Sequence, residues 1–244
     1  MTTQKRIRPK ARKTVHDKVL KWFSKQKRGT VLDVPAGFGH LSMRLQEMGF
    51  APVCGEVQLD IIEAVNVKKI YTDLNRSIDA PDASFDYVAC IEGLEHMTDP
   101  YQAVSEISRV LKPGGTAVFS LPNYTNIERR IRFLLTGSLL VPVSDEKLKD
   151  HNNNIFEFHN SPLTISLIEF ILRLNKLVIK DIFPDKPKKP LNLFAPVLWF
   201  IKVLFRREYS EVYDKYRLDL TLHKDVFLGG NCVIIVAQKS SGIS

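Results

Sequence analysis

The sequence predicts an α/β fold in which a mostly parallel sheet is covered by helices on both faces. Short apolar runs alternate with helical segments through the first half of the chain, as in parallel strands joined by crossover helices. The 244 residues, 44% of them hydrophobic, are enough to bury one large core. Three cysteines, Cys54, Cys90 and Cys232, lie in apolar runs without paired metal spacing, which predicts buried free thiols in a reducing compartment.

The order of predicted elements follows from these apolar runs and their breaks. Helices are predicted at 39–48, 58–65 and 99–111, and a later one begins at Ser161-Pro162 and ends at Asn175, with the serine as cap. An earlier helix, 15–24, places Val19, Trp22 and Phe23 near one face, so we expect it to pack on the core or to cover a ligand. Seven strands are predicted, at 30–34, 51–55, 68–71, 85–90, 116–121, 177–183 and 231–237.

A glycine turn follows the first strand. Val31 to Val34 reads as a buried strand, and Gly37 and Gly39 precede a helix. Glycine lets a ligand approach the backbone, and the helix N-terminus offers unpaired N–H groups, so the turn predicts a cofactor site. The alternative is a pair of glycines that serves helix–strand packing alone.

An acidic residue, Glu56, stands just past the second strand. At the carboxyl edge of a parallel sheet this carboxylate can accept hydrogen bonds from both hydroxyls of a ribose. A dinucleotide fingerprint would have a third glycine where Ser42 stands, so a nicotinamide cofactor is disfavoured.

Five motifs in order make the sequence resemble a class I S-adenosylmethionine (SAM)-dependent methyltransferase over roughly residues 28–125. They are the glycine turn, Glu56, the acidic end of the third strand at 73–75, the run SFDYVACIEGLEHMTDP at 84–100, and RVLKPGG at 109–115 before another strand. The resemblance is to the small-molecule methyltransferase type 11 group. It implies a Rossmann-like sheet of seven strands with the last one antiparallel.

The resemblance also assigns cofactor contacts to six residues. Pro35 stands where the family usually has glycine, and proline removes a backbone donor, so we leave it out of the site. The implied contacts are Asp33, Gly37 and Gly39 around the methionine part, Glu56 on the ribose, and Asp73 with Leu74 at the adenine.

His96, directly after the fourth strand, is the predicted catalytic base for a hydroxyl acceptor. A histidine that only hydrogen-bonds its loop is the alternative, and His151 and His159 are weaker candidates for the base. Glu92, Glu95 and His96 form a trio of possible ligands. Some quinone-precursor O-methyltransferases of similar sequence pair such a trio with a divalent metal. Glu-His is widespread at this place without a metal, so we predict no metal.

Positive charge is concentrated at the start of the chain. Residues 1–28 hold eleven Lys or Arg and one acidic residue, Asp17. Such an arm attracts the phosphates of nucleic acid or of anionic lipid, and a solvated tail before a helix is the alternative. We divide the chain into this arm with its helix, 1–28, and a methyltransferase domain, 29–240.

Two insertions in that domain lie where this fold binds its acceptor, at about 122–160 and 184–228. The first carries Arg129, Arg130 and Arg132, which suit a phosphorylated acceptor or a solvated helix face, and a polar patch from His151 to His159. The second carries an apolar run at 191–205 that is too short for a membrane span. It predicts an interfacial segment at an anionic membrane surface, a lid on the sheet or a dimer contact.

The predicted function is methyl transfer from SAM to a small molecule, at a hydroxyl of a sugar, polysaccharide or lipid-linked intermediate. The N-terminus lacks the apolar core of a secretory signal, so we expect a cytoplasmic protein, peripheral on the inner face of a membrane. A nucleic-acid methyltransferase is the first alternative, but the Asn/Asp-Pro-Pro-aromatic motif of amino-directed base methylases is absent. A non-catalytic SAM-binding scaffold is the second.

Overall fold

One sheet of eight strands organises the part of the chain that the structure describes. The structure is a computed structural model, and it describes residues 12–140, 143–150, 154, 157–208, 210–215 and 217–241. The strands are β1 Thr30–Asp33, β2 Ala51–Glu56, β3 Lys68–Asp73, β4 Ser77–Ile78, β5 Phe85–Ile91, β6 Leu111–Pro122, β7 Leu177–Pro184 and β8 Cys232–Lys239.

The strand order is β4-β3-β2-β1-β5-β6-β8-β7. Strands β3, β2, β1, β5 and β6 are parallel to one another, whereas β8 is antiparallel to both β6 and β7. The predicted mostly parallel sheet with an antiparallel last strand is therefore confirmed. The two-residue β4, antiparallel to β3, is an addition at the edge that the sequence analysis did not predict.

Helices cover the sheet on both faces. They are α1 Lys13–Phe23, α2 His40–Glu47, α3 Pro100–Val110, α4 Ile127–Thr136, α5 Asp145–Asp150, α6 Ile165–Leu174, α7 Ala195–Glu208, α8 Ser210–Lys215, α9 Leu218–Thr221 and α10 Lys224–Phe227. Because successive strand residues point to opposite faces, Leu32 and Phe119 join one apolar cluster with α3 and α6, and Val31 and Val118 join another with α1 and α2.

Helix α1 packs on the core, as one of the two predictions for it required. Val19 and Phe23 are fully buried in the cluster with α2. The Phe23 ring meets Phe50 and Tyr87 edge to face, with centroids 5.3 and 5.5 Å away. This aromatic cluster fixes the C-terminal end of α1 on the sheet.

The predicted helix at 58–65 is wrong. Only a 3-10 turn forms there, at Leu59–Ile61, and Ile62 after it is extended. The Glu63 N–H donates to the Phe38 carbonyl, and Ala64 lies against Gly39. These tertiary contacts replace the helical hydrogen bonds that the local sequence favours.

The predicted helix start at Ser161-Pro162 is also wrong, whereas its end at Asn175 is confirmed. The Ser161 hydroxyl donates to the Met97 carbonyl, 2.6 Å away, and is not available as a cap. Thr164 caps α6 instead, accepting from the Leu167 N–H at 3.3 Å. A contact with the loop after β5 thus moves the helix start by three residues.

The segments after β6 and β7 form a small apolar cluster of their own. Leu191, Leu198 and Phe227 are buried together, and Ile127 at the start of α4 packs against them. Asn126 caps α4, and Gly137 ends it with a φ of 66°. Within the described residues, no helix is both long enough and apolar enough to cross a membrane.

Candidate active site

A cavity of about 750 Å³ opens at the carboxyl ends of the parallel strands. Its walls are built by the segments that follow β1, β2, β3 and β5, together with parts of α1, the loop after β6 and residues 139, 140, 143, 154 and 157–159. The volume lies in the range of small-molecule sites, and this edge of an open α/β sheet is where ligands bind.

The glycine turn after β1 forms one wall. Gly37 lines the cavity with a φ of 54°, and its N–H donates to Glu56 Oε2 at 2.9 Å. Gly39, with a φ of 81°, does not line the cavity, because it faces the 62–64 segment. A Cβ there would lie 2.5 Å from the Ala64 Cβ. Gly39 is therefore required for packing.

Asp33 is a buried carboxyl at the base of the same turn. Its Oδ2 accepts from the Ser42 N–H at 3.1 Å and from the Ser42 hydroxyl at 2.7 Å. Burial raises the pKa of Asp33 to about 7, the two bonds from Ser42 lower it, and the charge of Glu56 raises it further. Asp33 thus ties the start of α2 to the end of β1 and also lines the cavity.

Glu56, Asp73 and Leu74 stand at the ends of the next two strands and line the cavity. The Glu56 carboxylate is held by two backbone donors, the N–H groups of Gly37 and Val57, at 2.9 and 3.0 Å. Asp73 accepts from the Asn75 N–H at 3.0 Å, and Leu74 is buried. The sheet edge therefore brings together an oriented carboxylate, a second acidic residue and an apolar surface.

Helix α1 supplies cavity residues that the sequence analysis missed. Arg12 and His16 line the cavity together with His40, the first residue of α2. The Nδ1 atoms of His16 and His40 are 3.0 Å apart, and burial, with the charge of His40, lowers the pKa of His16 to about 4. His16 is neutral at physiological pH. The sequence around His16 does not indicate a site residue, because His16 reaches the cavity only when α1 packs on the sheet.

His96 also lines the cavity, in a 3-10 turn after β5. Its Nδ1 lies 3.0 Å from the Phe158 carbonyl oxygen, which fixes the ring. The His159 ring stands edge-on to it, with centroids 4.9 Å apart, and a hydrogen bond of 3.3 Å joins His159 Nδ1 to the Tyr124 hydroxyl. Burial and the charge of His96 lower the pKa of His159.

Two glutamates next to His96 have different surroundings. Glu95 is buried, its Oε2 accepts no hydrogen bond from the described residues, and burial raises its pKa to about 8. Glu92 accepts from the Arg12 N–H at 3.1 Å and from the Cys232 thiol at 3.2 Å. Glu92 therefore joins the start of α1 to β8, whereas burial favours the protonated form of Glu95.

Comparisons with known proteins identify the strand-and-turn part of this site. Residues 32–119 match the family model described as a methyltransferase domain. The ubiquinone biosynthesis O-methyltransferase of Colwellia psychrerythraea is 30% identical over 137 residues, which cover 51% of this chain and 54% of that protein. The enzyme of the same name from Idiomarina loihiensis is 38% identical over 106 residues, covering 38% and 42%.

Residues 32–119 belong to the class I SAM-dependent methyltransferases. SAM is the cofactor of this domain. Among solved structures, a phosphoethanolamine N-methyltransferase of Haemonchus contortus in complex with SAM superposes with a TM-score of 0.54 at 17% identity, over 92% of this chain and 52% of that one. This likeness concerns the fold. The chain spans about half the length of the curated relatives it matches.

The described residues of the methyltransferase domain fit SAM. Each Glu56 oxygen uses one lone pair on a backbone N–H, which leaves acceptor capacity for the two ribose hydroxyls. The buried Leu74 offers an apolar surface for an adenine beside Asp73. Of the six predicted cofactor contacts, all except Gly39 line the cavity, and Pro35, which was left out, lines it too. The individual contacts remain predictions.

A group of possible metal ligands lies at the His96 end of the methyltransferase site. Glu95, His96 and His159 each offer a ligand atom within 4.8 Å of the others. The trio considered from the sequence contained Glu92, whose carboxylate is bonded to Arg12 and Cys232 instead. His159 takes that place, and no sequence spacing pointed to it. The absence of a metal remains a prediction.

The three arginines of α4 have different positions. Arg129 lines the cavity and stacks over the Tyr124 ring at 5.8 Å. Arg130 is turned away, donating to the Thr125 and Thr221 carbonyls, and burial lowers its pKa to about 10. Arg132 pairs with Glu128 at 3.5 Å. One of the three therefore reaches the acceptor side of the cavity.

The polar patch predicted at 151–159 is described only in part. Its residues 151–153, including His151, lie outside the described residues, as do residues 1–11 of the basic arm. Asn154, Glu157 and His159 line the cavity. The first insertion therefore contributes polar side chains to the site.

Proposed function

We propose that this chain is an enzyme that transfers a methyl group from SAM to a hydroxyl of a small molecule. One observation carries the proposal. The cofactor side, with Glu56 and Asp73, and a histidine pair, His96 and His159, line the same cavity. The curated relatives named as O-methyltransferases support transfer to oxygen.

His96 is the proposed catalytic base. Bound SAM supplies a methyl group already activated by its sulfonium, so the protein has to align the acceptor and accept its proton. The Phe158 carbonyl accepts from His96 Nδ1, which therefore carries the ring proton of the neutral histidine. Nε2 is then the basic atom that takes the hydroxyl proton.

The acceptor we propose is a sugar, a polysaccharide or a lipid-linked intermediate. Arg129 is suited to bind a phosphate, and Asn154 and Glu157 are suited to bind hydroxyls. Leu139 and Leu140 add an apolar part to the same wall. The wall therefore has a cationic side chain, polar side chains and an apolar part. These three parts match an acceptor with a glycan or phosphate head and an apolar tail.

We place the enzyme in the cytoplasm. The support comes from the cysteines, since Cys54, Cys90 and Cys232 are all free and buried. A reducing compartment keeps such thiols unpaired.

Two other functions remain as alternatives. A nucleic-acid methyltransferase is favoured by the basic residues 1–28, and salt-sensitive binding of RNA or DNA would support it. A scaffold protein would bind SAM and transfer no methyl group.

The test is to incubate the purified chain with methyl-labelled SAM and a host-cell lysate, and to separate lipid, aqueous and nucleic-acid fractions. Label in lipids, glycans or small metabolites supports the proposal. Label in nucleic acid supports the first alternative, and no label despite SAM binding supports the second.

Two matched variants test the base. His96→Ala is expected to lower kcat by about 10²- to 10⁴-fold while SAM affinity is kept, because the base acts on the acceptor. His223→Ala is the control, since His223 caps α10 away from the cavity. An unchanged kcat in His96→Ala would exclude His96 as the base.

A further inference from the structure

Two helices outside the matched domain carry large apolar side chains that the rest of the described chain leaves uncovered. On α4, Leu134 and Leu135 are 82% and 78% exposed. On α7 and in the turn before it, Trp199 is 67%, Phe200 59% and Leu193 81% exposed. Single exposed apolar residues are ordinary on soluble proteins, but such groups on neighbouring helices mark an interaction surface.

The two helices are joined at their base. Ile127 of α4 packs on the apolar cluster that holds Leu191 and Leu198, and Glu128 of α4 pairs with Lys188. The two helices that carry the exposed side chains are therefore joined by one buried cluster and one ion pair. We call these five residues, Leu134, Leu135, Leu193, Trp199 and Phe200, the apolar surface.

Positive charge accompanies the apolar surface. Residues 184–208 contain six Lys or Arg and two acidic residues, and one of the six, Lys188, pairs with Glu128 of α4. Lys202 follows Phe200 by two residues on α7. Apolar side chains with a tryptophan and surrounding cations match the headgroup region of an anionic bilayer, which takes up both kinds of group.

The apolar surface is continuous along the chain with the cavity. Helix α4 ends at Gly137, and beyond it Leu139, Leu140 and Val143 line the cavity wall. An α4 that rests on a bilayer brings this wall close to the lipid headgroups. An acceptor carried by a lipid could then enter without crossing bulk water.

We propose that the apolar surface of α4 and α7 docks this protein on the headgroup region of an anionic lipid bilayer. Helix α7, with 14 residues, is shorter than the about 20 residues that a membrane span requires, so it lies in the interface. The docking needs no methyl transfer and is a property of the surface itself.

The test is flotation of the purified full chain with vesicles of phosphatidylcholine alone or mixed with phosphatidylglycerol, without any acceptor. The chain is expected to float with the mixed vesicles and to dissociate as salt is raised. The double variant Trp199→Glu/Phe200→Glu is expected to bind these vesicles at least about tenfold more weakly, because it puts two carboxylates in place of inserted rings. Leu134→Glu/Leu135→Glu tests α4 in the same way.

The matched control is Phe170→Glu/Leu174→Glu, which alters two exposed apolar residues of α6, on another part of the molecule. It should float like the unaltered chain. Thermal unfolding and SAM binding verify that every variant is folded, and these two measurements separate the docking from the proposed activity.

Two results would overturn the proposal. One is wild-type chain that stays unbound on mixed vesicles. The other is vesicle binding that all three double variants keep. A wild-type dimer that the Trp199→Glu/Phe200→Glu change splits, with no vesicle binding, would assign the apolar surface to a second copy of the chain.

Discussion

The two sides of the cavity are built in opposite ways. On the cofactor side, between β1 and β6, apolar side chains are buried, and each acidic group at the sheet edge that has a predicted cofactor role is held by backbone or hydroxyl donors. On the acceptor side, the insertions bury a small cluster and leave leucines and aromatic rings in solvent. The family match covers the first side alone. A common cofactor fixes one wall, whereas the other wall serves whatever this chain binds.

The largest expected contrast is between two phenylalanines on helices. Phe23→Ala should lower the free energy of unfolding by about 3–5 kcal/mol, because it empties a site inside a ring cluster. Phe200→Ala should change it by less than about 0.5 kcal/mol, because the Phe200 ring is exposed. Denaturant unfolding of both variants measures the difference. Similar losses would mean that α7 is covered in solution.

The next contrast is between two glycines with positive φ. Gly39→Ala should lower the free energy of unfolding by about 2–4 kcal/mol, because it adds a clash with Ala64 to the strain of the left-handed backbone. Gly137→Ala should lower it by about 1–2 kcal/mol, since nothing lies within 4 Å of its added Cβ and only the strain remains. Equal losses would show that the 62–64 segment moves aside.

A smaller effect is expected on cofactor affinity. Glu56→Ala should weaken SAM binding by about 1–3 kcal/mol, through loss of charged hydrogen bonds to the ribose. Asp60→Ala is the control, because Asp60 is an exposed acid nearby that does not line the cavity. Calorimetric titration with SAM measures the affinity of both variants. Unchanged affinity in a folded Glu56→Ala chain would remove the ribose role from Glu56.

The smallest effect concerns pH and compares one buried acid from each side. The pKa of Asp33 rises from 3.8 to about 7 and that of Glu95 from 4.5 to about 8, because of burial. The folded chain then keeps protons that the unfolded chain has released. These contributions to stability are therefore complete below about pH 4 and are lost as the pH rises through 7 and 8.

Asp33→Asn and Glu95→Gln should each flatten this decline, by about 1 kcal/mol between pH 6 and pH 7, and Glu95→Gln should do so to the higher pH. Denaturant unfolding at several pH values measures it. A decline as steep as that of the wild type in Glu95→Gln would mean that Glu95 is ionised in the folded chain.

Local sequence was sufficient to place five of the six predicted cofactor residues at the cavity. The strand, the glycine turn and the acidic residues at strand ends lie within short stretches, so their spacing placed Glu56 and Asp73 at one sheet edge. The same reasoning placed Gly39 beside the cofactor, whereas the structure places it against the 62–64 segment. A turn can require glycine without the sequence showing whether a ligand or a neighbouring segment is the reason. The failed helix at 58–65 has a related cause, since contacts with the glycine turn override the local preference.

The acceptor side was less predictable because its contacts join distant parts of the chain. His159 meets His96 across 63 residues of sequence, through a loop whose course no periodicity encodes. His16 reaches the cavity only because Phe23 anchors α1 on the sheet. Among the arginines of α4, packing on Phe227 turns Arg130 inward and leaves Arg129 at the cavity. The sequence alone does not show which arginine of α4 reaches the cavity.

Strand β6 divides the cavity wall along the chain. The residues of α1, the glycine turn and the ends of β2 and β3 that line the cavity all precede it. Tyr124, Arg129 and the lining residues between 139 and 159 that the structure describes follow it. The proposed SAM contacts and His96 thus all come before β6 in the chain, and His159 comes after it. A chimera with one crossover inside β6 would take Tyr124, Arg129 and the later cavity residues from another methyltransferase. It would keep every proposed SAM contact, together with His96, from a single parent.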